Sequence, residues 1–222
     1  MKLKINLKTT LFTFFLAFTF FGCKKENTFT DYKYADKPDV LNCETIDSEL
    51  YKEALYAFED DILNFYKKTN PNESLLQSYN KFIRTAIYGS LNYQDIISSH
   101  TAKVFEALKN EADLWDAGNT KSHLNYNSKI LNCVSNNIQD TALKTTFNAL
   151  ISTNSMSPKL FGSPLMPKYR NALNDKYLAT YIALDLFYAK LFDIDISQID
   201  FDKPEPTLDF NVIPQKSNTN SN

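Results

Sequence analysis

Apolar residues recur every three or four positions through most of this chain, and no stretch holds the strict alternation of a half-buried strand. Over 44–68, Ile46, Leu50, Ala54, Ala57, Phe58, Ile62 and Phe65 line one face of a predicted helix, and Glu49, Glu53, Glu59, Asp60 and Lys67 lie toward the other. Asn70-Pro71-Asn72 stops that helix, and Asn72 is placed to cap the next. A second helix carries Leu75, Tyr79, Phe82, Ile83, Ala86 and Ile87 and ends near Gly89. A third is expected from about Asn92 through Ile96, Val104, Phe105 and Leu108 to Trp115, with Gly118 closing it. Shorter helices are expected over 124–136 and 139–152. Pro158, Gly162, Pro164 and Pro167 then demand a loop over 153–168. The last predicted helix, 169–193, is the most apolar and so belongs at the centre. The fold class that follows is all-α, a single irregular bundle of five to six helices.

The N-terminus follows a different pattern. Lys2, Lys4 and Lys8 precede an uncharged run from Leu11 to Phe21, about eleven residues, too short to span a roughly 30 Å hydrocarbon core. A basic start, a short greasy stretch and a small residue before a Cys describe an export signal. The sequence Phe20-Phe21-Gly22-Cys23 resembles the lipobox of bacterial lipoproteins, with Phe20 where Leu is usual. The resemblance covers only this segment. It implies that residues 1–22 are removed and that Cys23 becomes the N-terminus. It also implies a diacylglycerol on the Cys23 sulfur and a further acyl chain, such as palmitate, on its amine. Two or more chains give stable anchoring, where one is marginal. Lys24-Lys25-Glu26 lacks the Asp that retains some lipoproteins in the inner membrane, so the resemblance points to the outer membrane and leaves the face open.

This sets the expected organisation. Residues 1–22 form the signal, 23–42 a lipidated tether, 43–200 the helical domain, and 201–222 a disordered or loosely docked tail with Pro204, Pro206 and Pro214. The whole chain has 24 Lys and Arg against 26 Asp and Glu, and loss of the three signal lysines takes the net charge from −2 to near −5. That balance argues against a nucleic-acid partner, which requires a basic face. Export also places the remaining cysteines, Cys43 and Cys133, in oxidising space, where a disulfide is expected to brace the bundle. A metal pair or free thiols are the alternatives, and neither Cys has a ligand neighbour at metal spacing.

Candidate chemistry is sparse, and no cofactor is expected. On a wheel of 100° per residue, Leu178, Tyr181, Ile182, Tyr188, Ala189 and Phe192 all fall within about 60° of Asp185, which places a carboxylate inside an apolar face. Asp61 shows a weaker version among Leu50, Ala54, Ala57 and Phe65. Such groups must be hydrogen-bonded, paired or protonated. Three readings follow: acceptors for hydroxyls or loop backbone, a metal or acid–base pair on two long helices, or solvent exposure. Tyr181 is the companion expected beside Asp185 in a ligand site. His100, near the apolar arc of the third helix with Glu111 close by, and His123, in a loop, are the only histidines, and they form no zinc motif. Tyr56, Tyr66, Tyr126 and Tyr169 are candidate interface residues. Asp140-Thr141-Ala142 resembles an O-glycosylation motif of exported proteins in one bacterial phylum, which would make Thr141 an acceptor. Asp140 or Thr141 also suits the first turn of a helix. With no catalytic motif visible, the expected role is a non-catalytic accessory lipoprotein docking to an envelope protein complex. The alternative is a small ligand- or metal-binding lipoprotein with its site near Asp185.

Overall fold

Seven α-helices make up the described part of the chain. The computed structural model describes residues 29–201 apart from Thr45 and Asp47. The expected export signal, Cys23 and all of the expected tail beyond Phe201 lie outside the described residues. The helices are α1 (Glu49–Lys67), α2 (Leu75–Ile87), α3 (Ser99–Leu108), α4 (Lys129–Asn137), α5 (Thr141–Ser152), α6 (Pro158–Leu165) and α7 (Lys176–Tyr181). Among the described residues there is no sheet, only an isolated antiparallel bridge between Trp115 and Leu124. The architecture is an all-helical bundle braced by Cys43–Cys133, whose Cα atoms are 6.0 Å apart.

Local sequence explains most helix starts. Ser74, Ser98, Ser128, Asp140, Ser157 and Asp175 each turn a side-chain oxygen onto the third backbone N–H of the helix that follows. Each satisfies a donor that the helix end would otherwise leave unpaired. Ser74, not Asn72, caps α2, and Gln77 reciprocates to complete a capping box. At the other end of α2, Gly89 takes φ +69°. Gly89 N–H then bonds Ala86 O at 3.2 Å and Ser90 N–H bonds Thr85 O at 3.0 Å, the two bonds of a Schellman stop.

Three expected elements differ. Of the loop expected over 153–168 only 153–157 is one: Pro158 occupies the first position of α6, where a missing N–H costs nothing, and Pro167 lies in the first turn of a 3-10 stretch, Met166–Leu173. The third helix is shorter than expected. A 3-10 turn at Tyr93–Asp95 precedes α3, and 109–128, with Trp115, is irregular. The final helix begins at Lys176 and changes pitch along its length, from α to a wide π turn at Ile182–Phe187 and a tight 3-10 run at Tyr188–Asp193. The Tyr93 hydroxyl donates to Leu186 O at 2.8 Å, within that wide turn.

Two long elements share the centre. From Leu50 to Glu59 every residue of α1 is buried, and so is every residue of the final helical run from Leu178 to Ala189. The run contributes Phe187, which meets Phe58 of α1 at 5.3 Å and Phe82 of α2 at 6.1 Å. Farther up, Tyr181, Phe147 of α5 and Phe161 of α6 pack edge-to-face around one point, with centroids 4.8–5.2 Å apart. Such ring pairs prefer this geometry because a positive edge meets a negative face.

The tether expected over 23–42 is part of the fold from Phe29 onward. Tyr34, Val40 and Leu41 are buried. Glu53 accepts the backbone N–H groups of Lys33 (2.7 Å) and Tyr34 (2.9 Å), and Tyr34 O–H donates to Asp60 at 2.6 Å. Lys52 reaches Ala35 O and Tyr56 O–H reaches Pro38 O. A strap therefore runs over α1 and ends at the disulfide.

Candidate functional site

Asp185 sits in the π turn, fully buried. Its first oxygen accepts Ser122 O–H at 2.5 Å, its second accepts Tyr181 O–H at 2.7 Å, and Tyr126 O–H lies 3.0 and 3.2 Å from the two. Tyr181 comes from one turn earlier on the same helical run. Ser122 and Tyr126 come from the irregular segment between α3 and α4. Asn119 Nδ2 binds Leu124 O within that segment, and Asp116 N–H binds His123 O. Burial pushes the Asp185 carboxyl up, and the hydroxyls of Ser122, Tyr181 and Tyr126 pull it down. Burial and the neighbouring Asp185 push the Tyr181 phenol well above its ordinary range. Of the readings open for Asp185, the structure selects hydrogen bonding to hydroxyls.

Asp61 has a separate set of partners. Its carboxylate accepts Ser98 N–H at 3.0 Å, and the hydroxyls of Thr101 and Ser98 also bond to it. It therefore sits at the N-terminus of α3, where free N–H groups favour an anion. Burial pushes its pKa up to about 6 against those bonds, with Asp60 adding to the rise. The two inward carboxylates are thus each committed to a different seam of the bundle. Among the described residues no three His, Cys, Asp or Glu side chains are grouped to hold a metal ion.

Two buried acids were not expected. Glu53 and Glu59 were assigned to the polar face of the first helix, yet both are buried. Glu53 also meets His100 Nε2 at 2.6 Å, so His100 pairs across to α1. Glu59 accepts Tyr79 O–H and Lys176 Nζ, both at 2.9 Å. One signal was present: Tyr56 lies three residues from both acids and Leu55 four from Glu59, so α1 had apolar side chains on its second face too. Tyr56 and Tyr66 are likewise buried and bonded inward, not available as interface residues. Tyr126 and Tyr169 are half-buried.

The remaining candidates are placed as follows. His123 lies in its loop, 3.0 Å from Asp193. Asp140 caps α5 through Leu143 N–H and accepts Lys168 Nζ (2.8 Å) and Asn171 Nδ2 (3.0 Å). The Lys168 ammonium holds the Asp140 carboxyl below the usual carboxylate range. Thr141 is exposed in the first turn. Among the described residues, Tyr88 at the end of α2 and Leu160 on α6 are the most exposed large apolar residues, at 72% and 52%. No described helix is long and apolar enough to cross a membrane. No family model, curated protein or solved structure matches this chain.

Proposed function

We propose that this chain is a non-catalytic accessory lipoprotein, held in the outer membrane by acyl chains on Cys23 and docking to an envelope protein. The observation that carries this reading over ligand binding is the closure of Asp185. Three hydroxyls of the same chain occupy its carboxylate, so a ligand would have to break bonds already made. Asp61, Glu53 and Glu59 are spent in the same way, on capping, strapping and ion pairing. A domain whose inward carboxylates Asp61, Asp185, Glu53 and Glu59 are bonded to its own groups suits a scaffold better than a reaction. Exposed Tyr88 and Leu160 supply apolar surface of the kind that partner contacts use. The lipobox resemblance at Cys23 supplies the anchor.

The test is metabolic labelling with an alkyne fatty acid in the native host, followed by mass analysis of the Cys23 peptide. Label on the natural protein, and its loss with release from the membrane fraction in Cys23→Ala, is expected. An unlabelled chain that keeps residues 1–22 would end the reading. Partner docking is read by photo-crosslinking from position 160: a discrete adduct is expected, and Leu160→Asp should abolish it. Export would also bring Thr141 within reach of glycosylation, which Thr141→Ala would reveal as a lost mass increment.

A further inference from the structure

The strap changes what an anchor at Cys23 would do. A free tether from residue 23 to the disulfide at residue 43 could extend roughly 70 Å and would leave the domain's orientation open. The strap is instead bound from Phe29 onward. The Phe29 ring packs on Tyr32 with centroids 5.0 Å apart, and lies 6.4 Å from the His100 ring. Asp31 pairs with Lys103 of α3 at 2.8 Å, and Glu53 holds the backbone of Lys33 and Tyr34. Cys23 and Phe29 are six residues apart, so the chain between them spans at most about 20 Å. Charges beside this exit are paired, Lys103 with Asp31 and Lys33 with Asp60.

We propose that the face carrying Phe29, Asp31 and Lys103 is the one turned to the lipid bilayer, which directs Leu160 on α6 away from it. The inference rests on the reading of Cys23 as acylated. It follows because a short link fixed to a rigid strap fixes a direction as well as a distance. Helix α3 packs on α1, whereas α6 packs on α2, α5 and the 3-10 stretch before α7. Leu160 is thereby presented from a different part of the bundle, free to meet a partner while the strap side meets lipid.

The experiment uses full-length acylated protein in phosphatidylcholine vesicles that contain a dansyl-headgroup lipid. Trp115, the only tryptophan, is changed to Phe, and single donors are introduced as Phe29→Trp or Leu160→Trp. Should Phe29→Trp not fold, Tyr32→Trp is the neighbouring donor. Energy transfer is expected to be several-fold stronger from position 29 than from 160. Twenty Gly and Ser residues inserted between Glu26 and Asn27 should bring the two values together. Equal transfer from both positions with the natural link would overturn the orientation, and so would a difference that the insertion leaves unchanged. Failure of the anchor itself reads differently: the protein would not float with vesicles and the Cys23 peptide would carry no acyl mass, which overturns both proposals.

Discussion

Ser122 and Asp185 are separated by 63 residues and joined by a 2.5 Å hydrogen bond inside the protein. That bond, with those from Tyr126 and Tyr181, sews the irregular segment between α3 and α4 onto the wide turn of the last helix. Wide turns of this kind recur at functional sites. Here the turn places the Asp185 carboxylate where three hydroxyls converge.

Removing that acceptor should be costly. Asp185→Leu removes the carboxylate that accepts from the hydroxyls of Ser122, Tyr181 and Tyr126, at about 1–3 kcal/mol for each bond lost. A total loss of about 3 kcal/mol or more is expected, which for a domain of this size lowers Tm by roughly 6–12 °C. Asp185→Asn keeps one acceptor oxygen and should lose less. Circular dichroism melts of the two variants check the order, and equal melting points for Leu, Asn and the natural chain would refute the role given to Asp185.

The disulfide closes a loop of 90 residues between the end of the strap and α4. In the chain-entropy picture its loss costs about 4–5 kcal/mol. The double variant Cys43→Ala, Cys133→Ala should therefore unfold at much lower urea than the oxidised natural protein. A reductant should shift the natural protein to the same midpoint and leave the double variant unmoved.

Asp61 gives a pH dependence of definite sign. Its folded pKa of about 6 lies above its ordinary 3.8 because burial disfavours the charge. Between those values the folded state holds more proton than the unfolded state, so this group's contribution falls as pH rises from about 4 to 6. About two units correspond to roughly 3 kcal/mol at most. Urea midpoints at pH 4, 5, 6 and 7 should show Asp61→Asn gaining on the natural chain as pH rises. A constant gap across that series would contradict the assignment.

Gly162 lies against α2. A Cβ built there would come within 2.6 Å of Ile87 Cδ1 and 2.7 Å of its Cγ1. Alanine normally favours a helix interior by about 1 kcal/mol over glycine, but overpacking of this kind costs about 1–3 kcal/mol. Gly162→Ala is expected to destabilise by about 1 kcal/mol net. Adding Ile87→Ala to make room should reverse the sign of the alanine effect, which a double-mutant cycle measures.

The α1 and α2 cores, the central last helix, the disulfide pair and the inward position of Asp185 were all legible in the sequence. Each rests on a simple rule: three-and-four spacing, a pair of cysteines in a chain with the expected export signal, one acid among apolar neighbours. The helix over Pro158–Leu165 was hidden because proline counts as a breaker unless one already knows where the helix begins. The strap was hidden because Tyr34, Val40 and Leu41 are too few and too scattered to show a period, and the glutamate that holds them lies on a helix face read as polar.

The chain's own pattern thus determined that it would be helical and which stretches would carry most of the helices. It also determined that one carboxylate would have to be buried. These follow from spacing and capping, which act within a few residues. Only the tertiary structure decided which groups would satisfy the buried acids. Ser122 reaches Asp185, Ser98 reaches Asp61, and the backbone of Lys33 and Tyr34 reaches Glu53, across separations of 63, 37 and about 20 residues. A buried charge must find partners, but which partners depends on what the packing of distant helices brings within three ångströms.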